Sequence, residues 1–258
     1  MLAADFPTIH AAFLDAFSDY VIRIAPSPGQ LEEMLTRRGY DPAASVGVFE
    51  DGRLVAFTLN GVDGQWGYDS GTGVVPSHRR RGLARRVMEE SFALLRERGC
   101  TNYVLEVIES NAPAVALYRD LGFVETRGLQ CWSFTSDAPA ATAVPGAVEE
   151  GWRDVQPSWQ NSTASLRRAL DRYVVLGDAD GYAVVFPSTG ELPQLAVRPD
   201  RRGHGIGTRL LHQAHAVAGK PLRILNVDDR NAGIARFLER AGAVKTLRQL
   251  EMVRTLRG

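Results

Sequence analysis

The stretch of sequence that decides the fold is residues 78–86, HRRRGLARR, in which five arginines surround Gly82. It follows an apolar run that ends at Val75, and it precedes a segment, Leu83–Leu95, whose apolar residues recur at helical spacing. A strand-to-helix junction leaves backbone N–H groups without partners, and the helix dipole adds positive charge there. Gly82 permits close approach to the backbone, and Ala84 keeps the next contact small. The stretch therefore predicts a site for a diphosphate.

Two other interpretations of the arginines remain open, a solvated helix start and a nucleic-acid-binding patch. The chain has 258 residues, with Lys+Arg and Asp+Glu both at 30, so its net charge is zero. A protein that grips a nucleic-acid backbone is usually basic, and arginine at a helix start is disfavoured unless an anion compensates it. The spacing around Gly82 also fits neither the Rossmann fingerprint nor the nucleotide P-loop.

The pattern occurs twice. GTGVVPSHRRRGLA at 71–84 aligns without gaps with QLAVRPDRRGHGIG at 194–207, and further on Asn111 aligns with Asn231. Agreement at separated points indicates duplication of one unit. We expect domains at residues 1–134 and 151–258, joined by an Ala/Pro/Thr-rich linker at 135–150.

Strand and helix patterns alternate in each copy. In the first copy, an Asp51-Gly52 turn separates two apolar runs and predicts a hairpin. Gly99 is expected to stop the helix that starts at Leu83, and Asn111 or Ala112 is expected to cap a short second helix.

The paired motif resembles the acyl-CoA-binding motif of the GNAT N-acetyltransferase superfamily, and each copy also has the Val-x-Pro segment that precedes it in that family. The segment LEVIESNAPAVALYRDLGF at 105–123 is most similar to the ribosomal-protein alanine acetyltransferase branch. The resemblance implies an α/β (α+β) chain with two tandem GNAT folds, each a mixed, mostly antiparallel central sheet flanked by helices.

By this resemblance, the loop amides bind the pyrophosphate of acetyl-CoA and the preceding strand lines its pantetheine arm. The residues implied in the first copy are Val74, Val75, Arg79, Arg80, Arg81, Gly82, Leu83, Ala84, Arg85, Asn111 and Tyr118. Those implied in the second copy are Val197, Arg202, Gly203, Gly205 and Gly207.

The same resemblance implies two proton-transfer residues. Tyr118 stands where these enzymes place the acid that protonates the departing CoA thiolate, and Glu106 is the candidate base that acts on the amine, directly or through water. The alternatives are a core tyrosine and a solvent-facing glutamate. The second copy has Asn226 and Leu238 at these positions. We therefore expect a catalytic first domain and a degenerate second domain, which binds CoA without reacting or serves as a structural companion.

By the same resemblance, the acceptor site is lined by the N-terminal helices and the middle strands, where several residues can hold or stack on a cationic amine. These residues are Asp19, Tyr20, Trp66, Tyr68 and Asp69. The alternative for the two strand aromatics, Trp66 and Tyr68, is an ordinary place in the sheet. His212 and His215 lie at helical i,i+3 spacing near His204, but no cysteine or nearby carboxylate completes a ligand set, so no metal site is predicted.

The predicted function is transfer of an acetyl group from acetyl-CoA to a primary amine of a small molecule or peptide. The alternatives are a non-catalytic acyl-CoA sensor and a peptide- or RNA-binding module. Two cysteines, an acidic start and the lack of a long apolar run favour a cytoplasmic protein with no membrane partner. The zero net charge argues against a nucleic-acid partner, and the sequence leaves open whether the chain is a monomer or a homodimer.

Overall fold

The computed structural model describes residues 4–22, 24–137 and 142–256, and the chain divides into two compact units. Within the described residues, unit 1 comprises the chain up to Thr126 together with the segment from Leu250 onward, and unit 2 comprises Arg127–Gln249.

Unit 1 is a mixed sheet with helices on its faces. Its helices are α1 (Phe6–Ala16), α2 (Pro28–Arg37), α3 (Leu83–Glu97) and α4 (Ala112–Asp120). Its strands are β1 (Val46–Glu50), β2 (Arg53–Asp63), β3 (Trp66–Val74) and β4 (Asn102–Ile108). The first three strands are antiparallel, and β3 pairs with β4 in parallel.

The local predictions for unit 1 are confirmed. Asp51 and Gly52 both have positive φ, 49° and 76°, as the tight turn between β1 and β2 requires. Gly99 follows the end of α3 with φ 81°, and the Asn111 side chain caps α4 by accepting from the Ala114 N–H at 3.4 Å.

Two strands have portions in both units, β5 (Val124–Phe134) and β10 (Val244–Thr255). The remaining elements of unit 2 are α5 (Thr163–Ala169), β6 (Val174–Asp178), β7 (Gly181–Phe186), β8 (Glu191–Val197), α6 (Ile206–Ala218), β9 (Leu222–Asp228) and α7 (Ala232–Arg240). Here β6, β7 and β8 are antiparallel, β8 and β9 are parallel, and β5 is antiparallel to β9.

The last strand of each repeat completes the other compact unit. In unit 1 the strand beside β4 is β10, and its Leu250 and Met252 are buried in the core around Tyr103. In unit 2 the strand beside β9 is β5, and its Trp132 and Phe134 lie in that core. The domain boundaries 1–134 and 151–258 stay a prediction about the repeated sequence. In the compact units, most of β5 belongs to unit 2 and the second half of β10 belongs to unit 1. Strand propensity identifies a strand but not its distant partner.

Met252→Ala is expected to destabilise the protein by about 2–5 kcal/mol, because Met252 is fully buried and its truncation leaves a cavity. Thr255→Ala, at an exposed position of the same strand, is the matched control and should cost less than about 0.5 kcal/mol. Urea unfolding followed by circular dichroism measures both. Equal costs would contradict a core completed by the exchanged strand.

The segment predicted as a linker is not free chain over residues 142–149, while 138–141 lie outside the described residues. Pro145 forms a β-bridge with Leu176, the Gly146 N–H donates to Val175 O at 2.9 Å, and the Gly177 N–H donates to Val144 O at 2.9 Å. This stretch therefore continues the sheet of unit 2 beside β6.

The parallel strand pair in each unit opens into a V. In unit 1, β3 and β4 pair only from Trp66 to Tyr68 and then separate. In unit 2, β8 and β9 pair only at Glu191 and Arg223. Each V opens toward the loop that precedes α3 or α6, which places the two RxxGx(A/G) loops at the mouths of the openings.

Candidate active site

The helices at the two mouths begin without a side-chain cap. Gly82 and Gly205 are their N-cap residues, with φ of 74° and 77°, a left-handed conformation that suits glycine. Four other helices are capped by the side chains of Asp5, Ser27, Asn111 and Asn231. The first-turn N–H groups of α3 and α6 are thus left for a ligand, which suits an anion.

The arginines of the first loop are mostly engaged with protein groups. Arg79 holds Asp19 in a bidentate pair at 2.6 and 2.7 Å and also donates to Ala16 O and Val74 O. Arg81 binds Glu50 at 2.7 and 3.1 Å. Arg79 therefore ties the end of α1 to the loop and, in this arrangement, is not turned toward a phosphate.

Two further arginines, Arg80 and Arg85, are held less firmly by protein groups than Arg79 and Arg81. Arg85 lies 3.3 Å from Asp120, whereas Arg80 is exposed and makes no side-chain hydrogen bond or ion pair with any part of the chain that the structure describes. Arg80 has φ 61° where the second copy has Gly203 at 79°, so both loops take the same left-handed step. A bulky residue at this φ is uncommon.

The second loop repeats the contacts of Arg79. Arg202 donates to Asp154 at 2.9 Å, to Trp152 O at 3.0 Å and to Val197 O at 3.2 Å. The motif arginine in both copies thus fixes a preceding segment against the loop. Asp19, expected at the acceptor, is instead the partner of this arginine, and the hydrogen bond from Arg79 holds the pKa of its carboxyl low.

Glu106 lies at the opening between β3 and β4. Its Oε2 accepts a hydrogen bond from the Tyr68 hydroxyl at 3.1 Å, and the guanidinium of Arg38 lies 5.9 Å from the centre of the Tyr68 ring. Tyr103, Leu105 and Val107 face the core beneath α3 and α4, so by alternation Glu106 faces the opposite side of the sheet.

Asp69 and Tyr118 form a second pair on the helix side. The Tyr118 hydroxyl donates to Asp69 Oδ2 at 3.3 Å, the Thr72 hydroxyl donates to the same oxygen at 2.8 Å, and the Gly71 N–H donates to Oδ1 at 2.9 Å. Both Asp69 and Tyr118 are only 8% exposed. Asp69, expected to hold the amine, is thus turned inward and bonded to the proposed acid.

Burial dominates the ionisation of this pair. Loss of solvent raises the pKa of Asp69 from an ordinary 3.8 to about 6, although the bonds from Thr72, Gly71 and Tyr118 and the charge of Arg38 lower it. Burial, with the Asp69 charge added, raises the pKa of Tyr118 well above its usual value. Tyr118 therefore keeps its proton at neutral pH.

Asp69→Asn is expected to stabilise the protein at pH 8 by up to about 3 kcal/mol, and the gain should vanish near pH 4. The pKa of Asp69 is raised by folding, so its favourable contribution is complete below pH 4 and is lost as the pH rises through about 6. Urea unfolding at several pH values measures the difference from wild type. Asp51→Asn, at an exposed turn, is the control, and a gain in Asp69→Asn that does not vary with pH would contradict the buried acid.

Of the other residues expected at the acceptor site, Tyr20 lies near Asp69 and Trp66 lies far from the loop. Tyr20 is half-buried and close to Asp69 and Asn111; burial raises its pKa, while a hydrogen bond with Asn111 lowers it. Trp66 begins β3 opposite Asn102, at the closed end of the V, and is 41% exposed. About eight residues of strand, or roughly 26 Å, separate Trp66 from the loop, so the structure does not bring it to the site.

Unit 2 contains a cavity of about 630 Å³ at its own V. Leu192, Val197 and Phe237 supply apolar wall, and Gly205 and Gly207 line the mouth. A Cβ on Gly207 would lie 3.2 Å from the Phe237 ring, so glycine avoids a tight contact at this position. The predicted cofactor residues Val197, Arg202 and Gly203 also line this cavity.

The proton-transfer positions of unit 2 are filled by other groups. Asn226, in the place of Glu106, is buried; it donates to Ser158 Oγ at 3.2 Å and accepts from Gln249 Nε2 at 2.7 Å. Leu238, in the place of Tyr118, is 2% exposed. Neither side chain can exchange a proton at neutral pH.

The sequence did not indicate a buried ionic group at the end of β9. Asp228 pairs with Arg127 at 3.0 Å and with Arg230 at 2.6 Å. Burial would raise the pKa of Asp228, but the hydrogen bonds from the two arginines outweigh it and lower the pKa to about 2. The sequence DDRN at 228–231 does not indicate that Asp228 pairs with Arg127, which lies 101 residues earlier in the chain.

Neither a membrane-spanning helix nor a metal-binding cluster occurs among the described residues. None of the helices is long and apolar enough to cross a membrane. In the same ranges, no three His, Cys, Asp or Glu side chains cluster in a way that could hold a metal ion.

Two family models match this chain. The acetyltransferase (GNAT) family model matches residues 10–123, and an acetyltransferase (GNAT) domain model matches residues 169–242. The chain belongs to the GNAT acetyltransferases and carries two of their domains in tandem, as the paired motif predicted.

Relatives cover parts of the chain. The [ribosomal protein bS18]-alanine N-acetyltransferase of Escherichia coli K12 is 37% identical over 76 residues, 30% of this chain and 51% of that protein. The mycothiol acetyltransferase of Clavibacter sepedonicus is 33% identical over 109 residues, 42% of this chain and 36% of that protein. The matches thus span about half the length of these relatives or less.

Among solved structures, a tandem GNAT protein from the clavulanic acid biosynthesis pathway superposes with a TM-score of 0.67 at 16% identity, covering 100% of this chain and 98% of that chain. At that identity the likeness shows the fold, and it confirms the predicted mixed sheet and tandem organisation.

Proposed function

We propose that the protein transfers an acetyl group from acetyl-CoA to a primary amine of a small molecule or peptide, by direct attack in a ternary complex at unit 1. The observation that carries this proposal is a pair of proton-transfer groups at the opening between β3 and β4. Glu106 lies on one face of the sheet and Tyr118, from α4, on the other, and the uncapped α3 begins at the mouth of the opening.

The residues of unit 1 fit the acyl donor. The free N–H groups at the start of α3 suit the diphosphate, Leu83 is buried beneath them, and Ala84 adds little bulk. The separated edges of β3 and β4 offer backbone groups to an amide-rich pantetheine arm. Arg80 is the loop arginine with a guanidinium available for an outlying phosphate.

The chemistry divides between the two faces of the sheet. Glu106 takes a proton from the amine as the nitrogen attacks the thioester carbon, and the C–S bond then breaks. Tyr118 gives its proton to the departing thiolate. A protonated primary amine loses two protons, one to solvent before attack and one to Glu106, and the sulfur gains one from Tyr118. Once Glu106 has released its proton and Tyr118 has been reprotonated, the products are an amide, CoA as a thiol and one net proton.

The acceptor approaches on the Glu106 side. Tyr68 borders this side through its bond to Glu106, and Tyr20 is near enough to Asn111 and Asp69 for both to affect its pKa. An aromatic and carboxylate surrounding suits a cationic amine. One relative is named for acetylation of an alanine of a ribosomal protein, which supports an amine acceptor for this chain.

Unit 2, on this proposal, binds an acyl-CoA without turning it over. Its uncapped α6 and its cavity of about 630 Å³ suit the ligand, while Asn226 and Leu238 cannot move protons. If both units behaved in this way, the protein would be an acyl-CoA sensor.

Calorimetry with acetyl-CoA, followed by CoA release against a panel of small amines and an N-terminal alanine peptide, tests the proposal. Two bound equivalents and CoA release with at least one amine are expected. Binding without release from any amine would favour the sensor, and no binding would contradict both functions.

A further inference from the structure

We infer that Asp69 is a positioning and proton-supplying residue for the proposed acid: as a carboxylic acid it donates to Tyr118 while Tyr118 protonates the departing thiolate. This inference rests on the proposed function and adds to it a residue that the resemblance does not supply.

The hydrogen bond that Tyr118 makes with Asp69 explains why Asp69 must be protonated for Tyr118 to act as the acid. A tyrosine hydroxyl has one proton, and that of Tyr118 points to Asp69 Oδ2 at 3.3 Å. While Asp69 is ionised, this bond directs the proton away from the thiolate. When Asp69 is protonated, it can donate to the tyrosine oxygen and leave the tyrosine proton free for sulfur.

The position of Asp69 separates it from the amine. Tyr68 and Glu106 bond to each other on one face, whereas the neighbouring Asp69 contacts Tyr118 of α4 on the other. Asp69 can therefore serve the leaving group while Glu106 serves the amine.

The repeat supports treating the two residues as one device. The position equivalent to Asp69 in the second copy is Leu192, and the position equivalent to Tyr118 is Leu238. Both leucines are buried in the core of unit 2. The carboxyl and the phenol are thus present together in unit 1 and absent together in unit 2.

The surroundings of Asp69 favour its neutral form once the donor binds. The ionisable groups that interact with Asp69 are Tyr118, which hydrogen-bonds to it, and Tyr103, Tyr20, Tyr68 and Arg38. The Tyr118 bond and the Arg38 charge lower the pKa of Asp69, but loss of solvent outweighs them. The pKa of Asp69 is already about 6. A bound thioester removes more solvent, and a developing thiolate adds negative charge, so both raise this pKa further.

The proton balance closes. The Asp69 O–H bond breaks as a new Tyr118 O–H bond forms, and the old Tyr118 O–H bond breaks as the S–H bond forms. Asp69 is left ionised, Tyr118 is unchanged, and CoA leaves as a thiol. Asp69 regains its proton from solvent before the next turnover.

Proton uptake on acetyl-CoA binding distinguishes the two roles of Asp69, because a purely structural residue would not change it. Titration calorimetry at pH 7 in PIPES and in imidazole buffer, which differ in ionisation heat and contain no primary amine or phosphate, separates protonation heat from binding heat. Wild type and Asp51→Asn should take up the same fraction of a proton, Asp69→Asn should take up less, and its affinity should be kept. Thr72→Val removes a donor to Asp69 and should move the uptake to higher pH.

Kinetics provides the second arm. Asp69→Asn should lower kcat by about 10²-fold with KM for acetyl-CoA unchanged, and the double variant with Tyr118→Phe should be no slower than the slower single variant. Equal proton uptake in Asp69→Asn, or its full kcat, would overturn the inference. Absent binding, or full activity in Glu106→Gln, would instead contradict the proposed function.

Discussion

Glu106→Gln is expected to lower kcat/KM for acetyl transfer by about 10²–10⁴-fold, the range for loss of a general base. Glutamine keeps the shape of the side chain and can still accept from the Tyr68 hydroxyl, but it cannot take the proton of the amine. Initial rates of CoA release with a productive amine measure the effect, and the dissociation constant for acetyl-CoA should stay within about twofold of wild type.

The matched control is Glu109→Gln, an exposed carboxylate three residues further along the chain. It should keep the wild-type rate. If Glu106→Gln also kept that rate, Glu106 would not be the base. If both variants lost the rate, the effect would come from general charge rather than from the site.

Ala84→Asp is expected to raise KM for acetyl-CoA by about 10²-fold or more. A carboxylate in the first turn of α3 competes with the diphosphate for the free N–H groups, and two lost bonds to a charged ligand cost about 1.5–3 kcal/mol each. An acidic residue at a helix start favours the helix itself, so the fold should be kept. Steady-state kinetics and thermal unfolding measure the two effects.

Gly207→Asp is the matched variant in unit 2. It places the same charge at the start of α6, beside the Phe237 ring. Turnover and KM should remain those of wild type while one bound equivalent of acetyl-CoA is lost. If Gly207→Asp removed turnover and Ala84→Asp did not, the assignment of catalysis to unit 1 would be wrong.

Much of the fold could be predicted from the sequence because its signals are local. The Asp51-Gly52 turn, the helix from Leu83 and the stop at Gly99 depend on residues that are neighbours in sequence. The strand exchange could not be predicted, since the place of Met252 in unit 1 depends on contacts more than a hundred residues distant. Alternation marks β10 as a strand without saying which sheet it joins.

The candidate site shows the same division. The repeat located both loops, but it could not show that Arg79 and Arg202 are occupied by Asp19 and Asp154. An arginine near a phosphate and an arginine that fixes a neighbouring segment have the same sequence pattern. Their partners are set by tertiary structure.

Asp69 was predicted at the acceptor, because an acid on the strand before the loop suits an amine. The structure turns it to the helix side, beside Tyr118 and nearly without solvent. The irregular pairing between Leu59 and Asn60 on β2 leaves one extra residue, Ser70, on β3 just after Asp69. A bulge of this kind changes which face a side chain takes, and the sequence does not indicate it.

The most direct measurement of the central claim is a crystal structure of the protein with CoA bound. In unit 1 we expect the diphosphate on the N–H groups of Leu83, Ala84 and Arg85. We also expect the CoA sulfur within about 3.5 Å of the Tyr118 hydroxyl, or one water away from it. A sulfur distant from Tyr118, or CoA bound in unit 2 alone, would contradict catalysis in unit 1.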